Sequence, residues 1–358
     1  MSKYFKITEK TEKTVQLIAI IAVLFMTMVI MDHERFLRPV NIHNMLMQLA
    51  ELGVYSLCIG IVYLAKGIDI SIVSIGNLAG IVSGLMFRSA ITPYTTQGEI
   101  AGFIALAVVI SLTIGLVCGL INGILIAGLG IFPILVTLGT QSLFMGIGLI
   151  LTQGRAVTDF PRMLTDIGNI SLFAVGDFRG LPLVTAIFIT LFIIMSIVVH
   201  KTPFGLKLQW YGANQKVSFF SGISNTRVVI RTYALSGLLA SVAGLITMAR
   251  TSSAMATYGE TLIFQALMVC VLAGLSPIGG KGKYYNIIFA MIALQILSTG
   301  FNMMRISPLI RESIFGIMLI AAIVLEIMQT NTKAARLNRA AIAAERETDS
   351  TAVKPPGD

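Results

Sequence analysis

Residues 100–127 read IAGFIALAVVISLTIGLVCGLINGILIA, twenty-eight residues without a charged side chain. As a helix this stretch is about 42 Å long, enough to cross a hydrocarbon core of about 30 Å. Its apolar residues run on continuously, so a membrane β-barrel strand is excluded. Its polar members are Ser111, Thr113 and Asn122, and Gly115, Gly119 and Gly123 recur every fourth position. That small-xxx-small ladder allows close helix packing, and Gly76, Gly80 and Gly84 form a second one.

Working outward, comparable apolar runs predict helices at Thr14–Met31, Leu46–Ala65, Ile68–Phe87, Ile100–Ala127, Phe132–Thr152, Leu183–Val199, Thr232–Ala249, Ile263–Gly279, Tyr285–Met304 and Leu309–Met328, ten spans in all. The fold class is therefore an all-α polytopic membrane protein. The first run lacks a small-residue cleavage site before Asp32-His33-Glu34-Arg35 and reads as an uncleaved anchor. Of the 358 residues, 56% are apolar and 12% charged, too little charge to coat a soluble globule of this size. That composition disfavours a soluble enzyme, a disordered scaffold and a secreted disulfide module.

Ten spans put both ends on one side. With the N-terminus in the cytoplasm, seventeen of the 26 Lys and Arg lie inside, five of them in the 200–231 loop. The +9 net charge is thus a topology signal and not a nucleic-acid patch, because no basic stretch carries interleaved aromatics. Residues 1–331 read as one transmembrane domain with a cytoplasmic loop at about 200–231, and 332–358 as a cytoplasmic tail. The polar stretch 153–181 lies outside, with room for a short interfacial helix or a docking surface for an external partner.

No cofactor or metal is implied. Cys58, Cys118 and Cys270 are single and widely spaced, and His33, His43 and His200 form no ligand pattern with them. Gly274 to Gly282 fails as a phosphate loop, because Gly280 intervenes before Lys281 and Gly282 follows it. It reads as a tight turn.

Apart from Glu312 and Glu326 at the two ends of the last, two carboxylates fall in predicted spans. Glu51, near an outer end, suits headgroup snorkelling, pairing with an outer Arg, or lining a substrate entrance. Asp69 suits the N-cap of the third helix. A proton relay needs further acids or His at similar depth, and away from its ends no predicted span holds one. The other membrane-embedded polar groups are neutral: Asn77, Asn122, Thr137, Gln141, Gln265, Gln295 and Asn302. Such groups either tie helices together or hydrogen-bond a neutral polyol along a pathway. Asn77, Asn122, Thr137 and Gln141 are the pathway candidates.

Four stretches together resemble the permease subunits of bacterial ATP-binding-cassette importers for monosaccharides, within the broader branched-chain amino acid permease superfamily. Gly67-Ile-Asp-Ile-Ser71 is similar to that family's GIDLSVGS segment. Gly119-Leu-Ile-Asn-Gly123 leads to Phe132-Pro133 and Val136-Thr-Leu-Gly-Thr140. Thr202-Pro-Phe-Gly205, Gly212-Ala-Asn214 and Ser221-Gly-Ile223 resemble its cytoplasmic loop. Ser236-Gly237, Ala243-Gly244, Ala249-Arg250 and Ala273-Gly274 through Gly280 complete the match.

The resemblance implies an inverted-repeat permease of about ten helices, spans two to five matching seven to ten, in the bacterial inner membrane. It implies a second permease subunit, identical or paralogous, cytoplasmic ATP-binding subunits and an extracytoplasmic sugar-binding protein. Related permeases import autoinducer-2, nucleosides and branched-chain amino acids. Residues 207–223 would form the helix that couples to the ATPase, with Trp210, Gly212, Asn214, Phe219, Phe220 and Gly222 as its working residues. An amphipathic helix on the membrane surface is the other reading of this segment. From a different class, an ATPase-independent facilitator or secondary transporter is the rival.

Overall fold

The computed structural model describes residues 2–328, apart from 93, 159, 174–179, 278, 281 and 326, with side chains from Lys13 onward. The predicted tail at 332–358 lies outside the described residues. Among them, nine helices are long and apolar enough to cross a membrane.

The first is α1 (Ser2–Phe36), followed by α2 (Pro39–Leu64) and α3 (Ile72–Ala90). Pro39 opens α2, where its missing N–H costs nothing. The stretch that first signalled a span is α4 (Gln97–Leu129). A capping box starts it, with the Thr96 hydroxyl accepting from the Glu99 N–H and the Glu99 carboxylate from the Thr96 N–H. Next come α5 (Pro133–Thr152), the short α6 (Arg162–Asn169) and a two-stranded hairpin, β1 (Ser171–Leu172) with β2 (Leu181–Pro182). Then follow α7 (Leu183–Lys201), the surface helices α8 (Pro203–Ala213) and α9 (Gln215–Phe220), and α10 (Asn225–Thr251). The last three are α11 (Leu262–Leu272), α12 (Asn286–Met303) and α13 (Pro308–Leu325).

The core is built on α2, α3, α4 and α10. From Ala50 to Leu64 every α2 side chain is buried, as expected of a helix surrounded by others. The glycine ladders explain how the backbones approach. A Cβ on Gly115 would overlap the Gly237 carbonyl, one on Gly119 the Tyr233 carbonyl, and one on Gly123 would press on the Ile230 backbone. Rising numbers on α4 meet falling numbers on α10, so the two run antiparallel. Gly76 of α3 meets Ala240 and Gly244 in the same way, with α3 and α10 running parallel. In a membrane, where apolar surface gives no drive for helices to associate, such close backbone contact supplies packing energy.

Three differences from the sequence reading bear on the site. The predicted span Ile263–Gly279 is the eleven-residue α11, about 16 Å long and too short to cross alone. Residues 252–261 before it are turns and extended chain, and Gly274, Gly279, Gly280 and Gly282 after it adopt positive φ. The third helix begins at Ile72 and not Ile68, with Ser71 rather than Asp69 as its N-cap. The seventh long span begins at Asn225, seven residues before the expected Thr232, and runs on to Thr251. The expected interfacial helix in 153–181 is α6, where Gly168 lies against the Ala249 carbonyl of α10.

Candidate functional site

The backbone is broken at two places inside the bundle: at 65–71 between α2 and α3, and at 252–261 between α10 and α11. Chain that leaves a helix at this depth must satisfy its polar groups within the protein. Both breaks do so with side chains from distant spans.

At the first, the Gly67 N–H donates back to the Val62 carbonyl at 3.0 Å, and Lys66 adopts a φ of 58°. The buried Asp69 carboxylate then accepts from the Ser71 N–H (3.1 Å), the Ser71 hydroxyl (2.6 Å) and, on its other oxygen, the Ser236 hydroxyl of α10 (3.0 Å). The Asn122 amide of α4 donates to the Ser71 hydroxyl oxygen at 2.8 Å. The Thr137 hydroxyl of α5 donates to the Ile68 carbonyl at 3.1 Å. The Asn122 amide oxygen and the Tyr233 hydroxyl are buried and have no hydrogen-bond partner among the described residues.

At the second break, Ala254 and Val157 exchange backbone hydrogen bonds of 2.8 and 2.9 Å. The Asn77 amide of α3 donates to the carbonyls of Ala256 (3.0 Å) and Tyr258 (2.8 Å). Glu51 of α2 accepts from the Thr247 hydroxyl at 2.7 Å and is ion-paired with Arg250, which also donates to the Tyr258 hydroxyl at 3.1 Å. Asn77, Gly80, Gly244, Thr247 and Tyr258 line a small cleft between α3, α10 and the broken chain.

The four predicted pathway residues therefore separate. Asn122 and Thr137 serve the first break, and Asn77 the second. Gln141 sits half-buried on α5, one turn beyond Thr137. Sequence reasoning missed Ser236, Thr247, Arg250 and Tyr258 as members of these clusters. Arg250 carried a signal: a lone cation closing one apolar run, with Glu51 a lone anion in another. Of the readings open for Glu51, the structure shows pairing with an Arg, and that Arg belongs to the last turn of α10.

On the face that holds the 200–231 segment, the expected single helix is two, α8 and α9, divided at Asn214. The Asn214 side-chain oxygen accepts from the Lys216 and Val217 N–H groups (3.0 and 3.2 Å), so it caps α9. Gly222 adopts a φ of +77°, a left-handed bend that glycine takes without strain. Gly212 has a different reason to be glycine: it is helical and buried, and a Cβ there would overlap the Leu64 carbonyl and crowd the Gly280 backbone. Gly212 thus seats α8 on the end of α2 and on the glycine-rich turn after α11. Leu208 is fully buried, and burial pushes the Tyr211 phenol above its ordinary pKa, which keeps it neutral. Trp210, Val217, Phe219 and Phe220 stay exposed, the two Phe rings meeting edge to face at 5.8 Å.

A bundle of apolar helices, interrupted twice in its interior by hydrogen-bonded extended chain, defines a multi-pass membrane permease. The chain belongs to the family described as branched-chain amino acid transport system / permease component, whose model matches residues 41–323. It is 33% identical over 305 residues to the ribose import permease protein RbsC of Bacillus subtilis, covering 85% of this chain and 90% of that one. It is 28% identical over 285 residues to the autoinducer 2 import system permease protein LsrD of Photorhabdus temperata, covering 76% and 79%. The LsrD protein of Escherichia coli K12 is 29% identical over 289 residues, with the same coverage. No solved structure matches the chain.

Proposed function

We propose that this chain is the membrane subunit of an ATP-driven importer that carries a monosaccharide or similar small neutral polyol into the cytoplasm. The likeness to the ribose import permease over 85% of the chain carries this reading. The chemistry of the interior agrees with it: apart from Lys66 and the Asp69 carboxylate, which Ser71 and Ser236 hold, the polar side chains at the two breaks are amides and hydroxyls, and the Glu51 and Arg250 charges neutralise each other. Asn77, Asn122, Thr137 and Gln141 are the proposed pathway residues. The autoinducer 2 permease relatives keep that solute as the second reading.

In this reading both termini face the cytoplasm of a bacterial inner membrane, and a second permease subunit completes the pathway. A binding protein delivers the sugar from outside, and cytoplasmic ATP-binding subunits dock on α8 and α9. Gly212 joins α8 to the end of α2 and to the turn after α11, so a push on α8 reaches the helix that leads into the first break and the helix that follows the second. The test is reconstitution into liposomes with an ATP-binding subunit and a binding protein that co-purify with the chain. The expected result is monosaccharide uptake that needs ATP. Uptake without the ATPase would make the chain a facilitator, and uptake restricted to a charged amino acid would overturn the substrate class.

A further inference from the structure

A cavity of about 180 Å³ opens between α8 and the start of α10. Its wall carries three cations, Lys207, Arg227 and Arg231, beside the apolar side chains Phe204, Ile223 and Val228. None of the three cations pairs with a carboxylate among the described residues. Like charges gathered round one cavity repel each other, and an anion seated among them would relieve that repulsion. Ser224, the N-cap of the 27-residue α10, also lines the cavity and makes no side-chain capping bond, so the free N–H groups of the first turn of α10 add positive potential there.

We propose that this cavity holds the phosphate headgroup of an anionic phospholipid. The half-apolar lining is what favours a lipid over free phosphate. Phe204, Ile223 and Val228 offer a surface for the glycerol and upper acyl carbons, which a free anion does not have. The position agrees: α10 enters its span here, and basic pockets between helices at the cytoplasmic side select anionic headgroups. Arg supplies the bidentate geometry that phosphate oxygens accept. The cytoplasmic placement rests on the orientation proposed above, whereas binding in detergent does not, so the two fail separately.

The experiment takes the full chain in neutral detergent and measures binding of phosphatidylglycerol, phosphatidylcholine and inorganic phosphate by native mass spectrometry and by thermal shift. Phosphatidylglycerol should bind and stabilise, phosphatidylcholine should bind far more weakly, and inorganic phosphate should compete only weakly. Each basic side chain near a charged lipid surface is worth about fivefold in affinity. The triple variant Lys207→Gln, Arg227→Gln, Arg231→Gln should therefore weaken phosphatidylglycerol binding about a hundredfold. Equal binding of the two lipids by the wild-type chain would overturn the proposal, and that comparison needs no variant. Phosphate binding as tight as phosphatidylglycerol would make the cavity a free-anion site. A folded triple variant that keeps the lipid but loses the ATP-binding subunit would assign the cations to that protein. If the triple variant does not fold, Arg231→Lys should retain the lipid and Arg231→Gln should weaken it; equal retention by both would overturn the assignment of Arg231.

Discussion

Arg250, on the last turn of α10, is ion-paired with Glu51 of α2, 199 residues earlier in the chain. Glu51 is almost wholly buried, its side chain 4% exposed, while the Arg250 side chain is 25% exposed and its guanidinium also reaches Tyr258. The pair thus ties α2 to α10 just where α10 gives way to extended chain. Removing one partner leaves the other charge buried and uncompensated, which costs about 3–5 kcal/mol for a fully buried pair. With a quarter of Arg250 open, the low end applies. Arg250→Ala should lower the melting temperature measured by fluorescence-detected size exclusion. Glu51→Gln combined with Arg250→Gln should recover much of that loss. Equal melting of wild type and Arg250→Ala would show that the pair does not hold the two helices.

The meeting of α4 and α10 allows no side chain at Gly237, where a Cβ would overlap the Gly115 carbonyl. Gly237→Ala should therefore separate the helices and cost about 1–3 kcal/mol, the usual range for overpacking. Gly102, on the same α4, has nothing within 4 Å of a Cβ, so Gly102→Ala should leave stability nearly unchanged. Thermal unfolding of both variants in the same detergent checks the contrast, and two variants of equal stability would contradict it.

Phe219 and Phe220 are 66% and 84% exposed on a helix anchored by the Asn214 cap and by a Ser218 hydrogen bond to Asn225. If the ATP-binding subunit covers them, truncating such aromatic anchors costs about 2 kcal/mol or more, roughly thirtyfold in affinity. Phe219→Ala with Phe220→Ala should leave membrane expression normal and abolish co-purification of the ATPase. A membrane-surface role for the pair predicts the reverse, lowered expression with the ATPase still bound.

Orientation has a direct readout. The orientation proposed from the 17-to-9 division of Lys and Arg has Lys207 inside and Arg162 outside. In intact cells, an impermeant thiol reagent should label a cysteine replacing Arg162 and spare one replacing Lys207. The native Cys58, Cys118 and Cys270 are all buried and should stay silent. The opposite labelling pattern would reverse the topology and with it the assignment of α8 and α9 to the ATPase.

Much of the site could be read as a set of residues but not as an arrangement. Asn77, Asn122 and Thr137 stood out because a polar side chain in an apolar run needs a reason. Their destinations, the Tyr258 carbonyl, the Ser71 hydroxyl and the Ile68 carbonyl, lie 181, 51 and 69 residues away. No local pattern encodes such distances. Asp69 shows the same limit: its position before Ser71 reads as a helix cap, and only the approach of Ser236 makes it the centre of a cluster. Gly212 was read as one residue of the coupling segment, and only the Leu64 carbonyl lying against it shows why that residue has no side chain.

By itself the sequence determined that this protein lives in a membrane, that it is helical, and which loops carry its positive charge. Those properties depend on each segment's own transfer from water into hydrocarbon, and a continuous apolar run settles that transfer without a partner. Only the tertiary structure decided what bonds the broken chain at 65–71 and 252–261, that α11 is half a span, and that Glu51 belongs with Arg250. Broken backbone and buried charge are costly in hydrocarbon unless another part of the chain arrives to bond them. Whether that partner arrives is decided by packing, here the glycine faces of α3, α4 and α10.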